Sequence, residues 1–205
     1  AIPNQVEGSI PLEITWTVIP VIIVILIAVP LGAMLTRPSL SRLSPVFVGA
    51  ANVGQAVPSL GVLVILALAF GIGFRYAVIA LVIYATLPVL RNTMVGLNQV
   101  DPTLVEAGRG MGLTSLQVLR RVELPLAVPI MLAGIRTALV INVGTATLAT
   151  YVNAGGLGWL IDQGIRNFTI DISILVTGAV LTAALALTLD WLAGMIEEAL
   201  RPKGT

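Results

Sequence analysis

The sequence predicts an all-α integral membrane protein of about five transmembrane helices, and three observations carry that prediction. Of the 205 residues, 57% are hydrophobic and only 10% are charged, and the mean hydropathy is +1.02, far outside the range of a soluble domain. Several runs long enough to cross a bilayer contain no charge at all. A hydrocarbon core about 30 Å thick takes about 20 apolar residues per helix, so the length leaves room for modest loops and no large soluble domain. His and Cys are both absent, which excludes disulfides, thiol chemistry, imidazole bases and the usual nitrogen and sulfur metal ligands. With no carboxylate cluster inside the spans either, no catalytic residue, metal site or cofactor is expected in this chain.

The first span is read over residues 14–36. Nothing between Glu13 and Arg37 is charged, the run is too long for a signal-peptide core and lacks a small-residue cleavage pattern, so it is a retained span. Pro20 and Pro30 kink a membrane helix without ending it. The chain opens on Ala1 rather than Met, which is read as processing or trimming. Residues 43–74 are again uncharged, too short for two spans and longer than one requires, which predicts a single long helix over 44–70, tilted or bent near Pro58. Gly71, Ile72 and Gly73 supply turn chemistry before a third span over 75–97, where Arg91 lies close enough to the far end to snorkel. Hydropathy falls and charges gather over 98–124. Pro125 suits a first helical turn and opens the fourth span, 125–151, whose membrane part begins near Arg136. A Gly-rich and mixed polar segment precedes the last span, 172–196, which ends among Asp190, Glu197 and Glu198.

Net charge, +1, is less informative than its placement. One set of alternate segments carries Arg37, Arg42, Arg109, Arg120, Arg121, Arg201 and Lys203, the other only Arg75 and Arg166. The excess of positive charge marks the cytoplasmic side, so the N-terminus is expected outside and both 98–124 and the C-terminus inside.

Within that cytoplasmic segment, Thr103 and Glu106 have capping-box spacing with Pro102 just ahead, and Thr114 and Gln117 repeat it. Gly112 between them is a natural stop, so the segment reads as helix, glycine, helix, the second running to about Val122. A connector between spans could be shorter and would need no internal caps, which points to a docking element; an amphipathic linker lying on headgroups is the alternative.

Glu106-Ala107-Gly108, Gly112, Val122 and Leu124-Pro125 resemble the EAA motif of binding-protein-dependent ATP-binding cassette importers, written EAA, three residues, Gly, nine residues, Ile, one residue, Leu-Pro. Gly108 stands for the second Ala and Val122 for Ile. The resemblance implies a type I importer permease fold in a bacterial plasma membrane, with this motif as a cytoplasmic coupling helix seated in a groove of an ATPase subunit. On that reading Gly108 and Gly112 allow close backbone approach, Glu106 caps and pairs, Arg109 pairs or only solvates, and Met111 and Leu113 meet either a partner groove or the chain's own fifth helix. Along AVPSLGVL (56–63), LPVLRNTMVGL (87–97), LPLAVPIMLAGIRTALV (124–140) and GTATLATYVNAGGLG (144–158) the resemblance is closest to permeases for quaternary-amine osmoprotectants such as glycine betaine, carnitine and choline. It implies as partners the ATPase, a second permease subunit, identical or homologous, an extracellular substrate-binding protein and the bilayer, and no nucleic acid. No GxxxxGK[ST] loop is present, so ATP and Mg belong to the partner ATPase.

Polar groups inside spans face other helices or water, which nominates Gln55, Pro58 at the bend, Ser59, Asn142, Thr145 and Thr147 for the translocation path; interhelical hydrogen bonding, or bonding to their own backbone for the threonines, is the other reading. Aromatic residues are only 5% of the chain, too few for a full aromatic cage around a cation. Arg136 and Asp190 are expected to neutralise each other as an ion pair, with Arg91 as the other candidate cation. A permease for another solute such as an amino acid, a stand-alone channel, a secondary carrier and a membrane enzyme are the rival functions. The last three lack the mid-membrane carboxylates, internal repeat or catalytic cluster they would need.

Overall fold

The computed structural model describes residues 2–153, 155–167 and 172–200. Arg201, Lys203 and the C-terminus assigned above to the cytoplasm lie outside the described residues. Among those described, the regular elements are all helical, because a segment in hydrocarbon must satisfy its own backbone. In order they are α1 (Ile2–Leu35), a 3-10 turn (Ser41–Leu43), α2 (Ser44–Ala56), α3 (Ser59–Phe70), α4 (Phe74–Asn98), α5 (Pro102–Gly110), α6 (Ser115–Val118), a π turn (Leu119–Glu123), α7 (Leu124–Leu148), a 3-10 turn (Ala149–Val152), α8 (Gly158–Arg166) and α9 (Ser173–Leu200). Four stretches are long and apolar enough to cross a membrane: Glu7–Leu35, Arg75–Asn98, Ser115–Val152 and Ser173–Leu200. Together α2 and α3 pass the same test as a pair bent at a short break, the form of either a broken span or a re-entrant loop.

The structure corrects the expected elements in four places. First, α1 starts at Ile2 rather than near residue 14, since hydropathy marks where a helix enters lipid and not where its backbone bonding begins. Second, the single bent helix over 44–70 is two helices 92° apart. Pro58 has no N–H and drives the preceding residue out of helical geometry; Val57 is accordingly extended, at φ −73° and ψ 135°. The carbonyl freed at Val57 accepts the Tyr84 hydroxyl, and the Gln55 side-chain amide donates to the Tyr84 carbonyl at 2.7 Å. Third, Pro125 does not open a new helix. Residues 115–152 are one continuous rod, in which the Leu124 N–H reaches the Leu119 carbonyl five residues back, and this wider turn gives the proline ring room it would lack in a regular helix. Fourth, the Gly-rich segment contains α8, whose Asp162 and Arg166 pair at 2.8 Å across one turn.

The core is organised along α4, which packs against α1, α2, α3 and α7. Trp16, Leu63, Leu81 and Ala146 fill one end; Val21, Val24, Ala85 and Ala138 fill the middle; and Ala33, Leu97, Ala127 and Met131 fill the end nearest α5. Lipid tails are as apolar as these side chains, so burial does not drive helices together and close packing has to. Small residues make it possible. A Cβ on Gly134 of α7 would lie 2.5 Å from Asn92 Cβ and 2.7 Å from the Pro88 carbonyl oxygen, and one on Gly96 of α4 would lie 3.0 Å from the Ala127 carbonyl oxygen. Large side chains such as Leu26 and Leu187 point outward.

Gly134→Ala is therefore expected to destabilise the protein by about 1–3 kcal/mol through overpacking, read as a lower melting temperature in detergent. Gly144→Ala, on the same helix with nothing within 4 Å of the added methyl, should leave that temperature unchanged or raise it.

Candidate functional site

The segment between α4 and α7 is held stiff by local chemistry. Asp101 caps α5: its carboxylate accepts the Thr103 N–H at 2.8 Å, and Pro102 occupies the first turn. This corrects the expected Thr103–Glu106 capping box. Pro102 is preset for helix, so the helix begins there and Thr103 falls inside it rather than at its boundary. The bond from the Thr103 N–H also holds the Asp101 carboxyl below the usual carboxylate range. At the other end Gly112 adopts φ +82°, the Gly112 N–H bonds the Arg109 carbonyl at 2.9 Å and the Leu113 N–H bonds the Gly108 carbonyl at 3.2 Å. That is the Schellman termination, which favours glycine at the left-handed position. Thr114 and Gln117 then form a reciprocal capping box, at 3.4 Å and 2.8 Å, that starts α6.

The glycine roles differ from those expected. Gly108 is buried against the chain itself: a Cβ there would meet Val118 and Val122 at an ordinary 3.5 Å, so the alanine usual in the motif would fit. Gly112 has open space around it, and its contribution is the backbone turn rather than close approach. Glu106 does not cap the helix, whose cap is Asp101. It is exposed, as are Ala107 and Arg109, and no ion pair engages Glu106 or Arg109 among the described residues. Met111 is 74% exposed, and Leu113 is half-buried beside Gly108. The outcome is a short helix with a polar and apolar outer face, carried on the foot of the α6–α7 rod.

An ion pair that sequence reasoning missed lies next to this segment. Arg37, just beyond α1, binds Glu123 of the π turn with both guanidinium nitrogens, one at 3.0 Å to Oε1 and the other to Oε2, while its Nε donates to the Ala33 carbonyl at 3.3 Å. The only local signal was a carboxylate between the apolar Val122 and Leu124.

In the bundle, Gln55, Pro58 and Ser59 sit at the α2–α3 break, Gln55 bound to α4 through the Tyr84 carbonyl, Pro58 exposed and Ser59 half-buried, whereas Asn142, Thr145 and Thr147 are buried on α7. Thr145 bonds the Ile141 carbonyl at 2.9 Å and Thr147 that of Gly144 at 2.7 Å. Asn142 is completely buried, and neither its oxygen nor its nitrogen has a hydrogen-bond partner. Arg136 meets Asp190 through two bonds of 2.9 and 2.8 Å and also Glu197 at 3.0 Å, seven residues further along the same face of α9. Arg91 is exposed and outside this cluster. Glu13, read as lying just ahead of the first span, is completely buried and accepts the Leu157 N–H at 2.9 Å. Gly155 and Gly156 have φ of +77° and +83°, and a Cβ on Gly156 would overlap Glu13, as one on Gly158 would overlap the Thr147 carbonyl. Gly155, Gly156 and Gly158 thus let the loop seat against α1 and α7.

Asp101→Ala should speed amide hydrogen exchange across 102–110 several-fold, and Asp101→Asn, which still caps, should not. Because the folded carboxyl titrates below its unfolded value, the charge-dependent part of the cap is complete above the usual carboxylate range and disappears as pH falls through the depressed folded value. For the membrane cluster, Arg136→Gln leaves two carboxylates without a cation and should cut the yield of folded protein well below that of Asp190→Asn, which leaves Glu197 on Arg136; fluorescence-detected size-exclusion chromatography in detergent checks the order.

The chain is 41% identical over 203 residues, 97% of it and 90% of the relative, to the carnitine transport permease protein OpuCD of Listeria monocytogenes. It is 41% identical over 86% of its length to the glycine betaine/carnitine/choline transport system permease protein OpuCD of Bacillus subtilis, covering 76% of that protein. Identity to the osmoprotectant import permease protein OsmW of Salmonella typhimurium is 40% over 96% of this chain and 93% of that one. Its fold matches a chain of the MetNI methionine ABC transporter, solved in inward-facing conformations, with a TM-score of 0.84, 24% identity and 98% coverage of both chains. A match across residues 28–202 to the binding-protein-dependent transport system inner membrane components, together with these relatives, shows that the chain belongs to that family.

Proposed function

We propose that this chain is the permease subunit of an ATP-driven importer of quaternary-amine osmoprotectants, of the glycine betaine, carnitine and choline class. The observation that carries the coupling part is the stiff, outward-facing α5: capped by Asp101, ended by Gly112 and exposing Glu106, Arg109 and Met111, it is shaped to be gripped by a partner. A helix that transmits displacement has to keep its shape under load, and these caps act without help from a partner. ATP and Mg bind the ATPase, and a substrate-binding protein outside delivers the solute to a pair of permease subunits, identical or homologous. The N-terminus lies outside and α5 inside, in keeping with the excess of Arg and Lys on the α5 side.

The substrate class rests on the relatives, three of which carry carnitine, glycine betaine, choline or osmoprotectant in their names. Along the path, Asn142 is the proposed polar contact, since a buried amide with no protein partner is costly, by about 1–3 kcal/mol, unless water or a passing solute satisfies it. Gln55, bound to the Tyr84 carbonyl, and the threonines, bound to their own backbone, serve as structure beside it. Arg136 and Asp190 with Glu197 fasten α9 to α7.

In proteoliposomes holding the complete transporter, Gly112→Val, which forces a β-branched residue into the left-handed region, and Glu106→Ala are expected to lower ATP-driven glycine betaine uptake, the first at least tenfold at an energetic cost of about 1–3 kcal/mol. Carnitine and choline should compete, and amino acids should not. The chain has no Cys, so Met111→Cys gives a unique label that should react only from the cytoplasmic side of right-side-out vesicles after permeabilisation. Labelling from outside, or undiminished uptake in both variants, overturns the coupling reading; competition by an amino acid alone overturns the substrate class.

A further inference from the structure

The Arg37–Glu123 pair lies where force on α5 would otherwise be dissipated. From α5 the chain passes through the glycine turn and α6 into the π turn Leu119–Glu123, and only then into α7. A π turn is wider and less regular than the helix on either side of it, so it is a compliant point between the docking helix and the span. Glu123 is its last residue, with a side chain only 7% exposed. Both of its oxygens are held by Arg37, and Arg37 is itself tied back to the last turn of α1 through the Ala33 carbonyl. Arg37 and Glu123 also line one cleft with Glu106 and Arg109 of α5.

A buried ion pair of this kind is not an efficient stabiliser, because desolvation offsets much of the attraction and an apolar pair of the same volume would do as well. What it supplies is direction. A planar guanidinium meeting a carboxylate through two bonds resists rotation as well as separation, in a way that a single point charge does not. We propose that Arg37 and Glu123 are positioning residues for energy coupling: a strut that clamps the π turn to the end of α1, so that α1 and α7 take up the displacement of α5 as one body. This inference rests on the coupling reading of α5 given above.

The test uses the complete transporter in liposomes, with radiolabelled glycine betaine as probe, and measures uptake and ATP hydrolysis in the same preparation. Glu123→Gln and Arg37→Gln are expected to lower the ratio of solute moved to ATP hydrolysed roughly five- to tenfold, in the range typical of coupling between sites, while hydrolysis continues. Arg37→Lys keeps the charge and supports assembly but loses the two-pronged contact, and should give an intermediate ratio. The exchange of both residues, Arg37→Glu with Glu123→Arg, should recover part of the loss. A merely structural pair would change the amount of assembled complex and leave the ratio where it was; that result, or a wild-type ratio in Arg37→Lys, overturns the strut. Gly112→Val in parallel separates the two ideas. If it abolishes uptake while the strut variants keep a normal ratio, only the strut is wrong, and if it leaves uptake intact, the coupling reading of α5 is wrong as well.

Discussion

The approach of α4 to α7 is the contact on which the remaining architecture depends. In lipid there is no gain from hiding one apolar side chain behind another, so two helices hold together only if their surfaces fit closely and their polar groups are satisfied. Gly134 lets the α7 backbone lie against the Pro88 carbonyl and Asn92, and Gly96 does the same against Ala127. With that seam closed, α1 packs on α4 and α7 together, and the broken α2–α3 pair is laid along α4. The fit also explains why Gly96, Ala127 and Gly134 stand at the closest points of the seam.

Below the seam the logic changes from fit to local hydrogen bonding. The segment between α4 and α7 has little apolar surface of its own to bury, apart from Gly108 and Leu113 against Val118 and Val122. Its shape comes instead from a carboxylate cap, a glycine termination and a capping box placed in sequence. Such devices leave the outer face free, since they use only the backbone of Arg109 and Met111 and none of the side chains of Glu106, Arg109 and Met111. A helix whose outer residues are not spent on its own fold can offer them to another chain.

Charge in this protein is placed where elements must stay in register. Arg37 joins α1 to the π turn, Arg136 joins α7 to α9, and Glu13 joins α1 to the loop ahead of α8. Arg37 and Arg136 are each bound by more than one group, which is the condition for keeping a charged side chain near lipid at tolerable cost. Asn142, buried on α7 with both amide atoms unsatisfied, differs from Thr145 and Thr147 on the same helix, whose hydroxyls bond their own backbone.

Properties that a residue carries by itself or shares with near neighbours were legible in the sequence. Hydropathy runs located the spans, the glycines at 71, 73 and 112 marked the turns, and Thr114 with Gln117 announced a cap, because each depends on residues within a helical turn of one another. Even locally there was room for error: Asp101 and Thr103 are both plausible caps, and Pro102 between them decides for Asp101 by starting the helix at itself. The pairing of Arg136 with Asp190 followed from the cost of leaving either alone in a membrane. Which further groups join was settled only by the fold, since Glu123 meets Arg37 across 86 residues and Glu13 meets Leu157 across 144. Those contacts exist because particular faces of α1, α7 and α9 turn toward each other, and that rotation is set by the packing of small residues along whole helices rather than by the charged residues themselves.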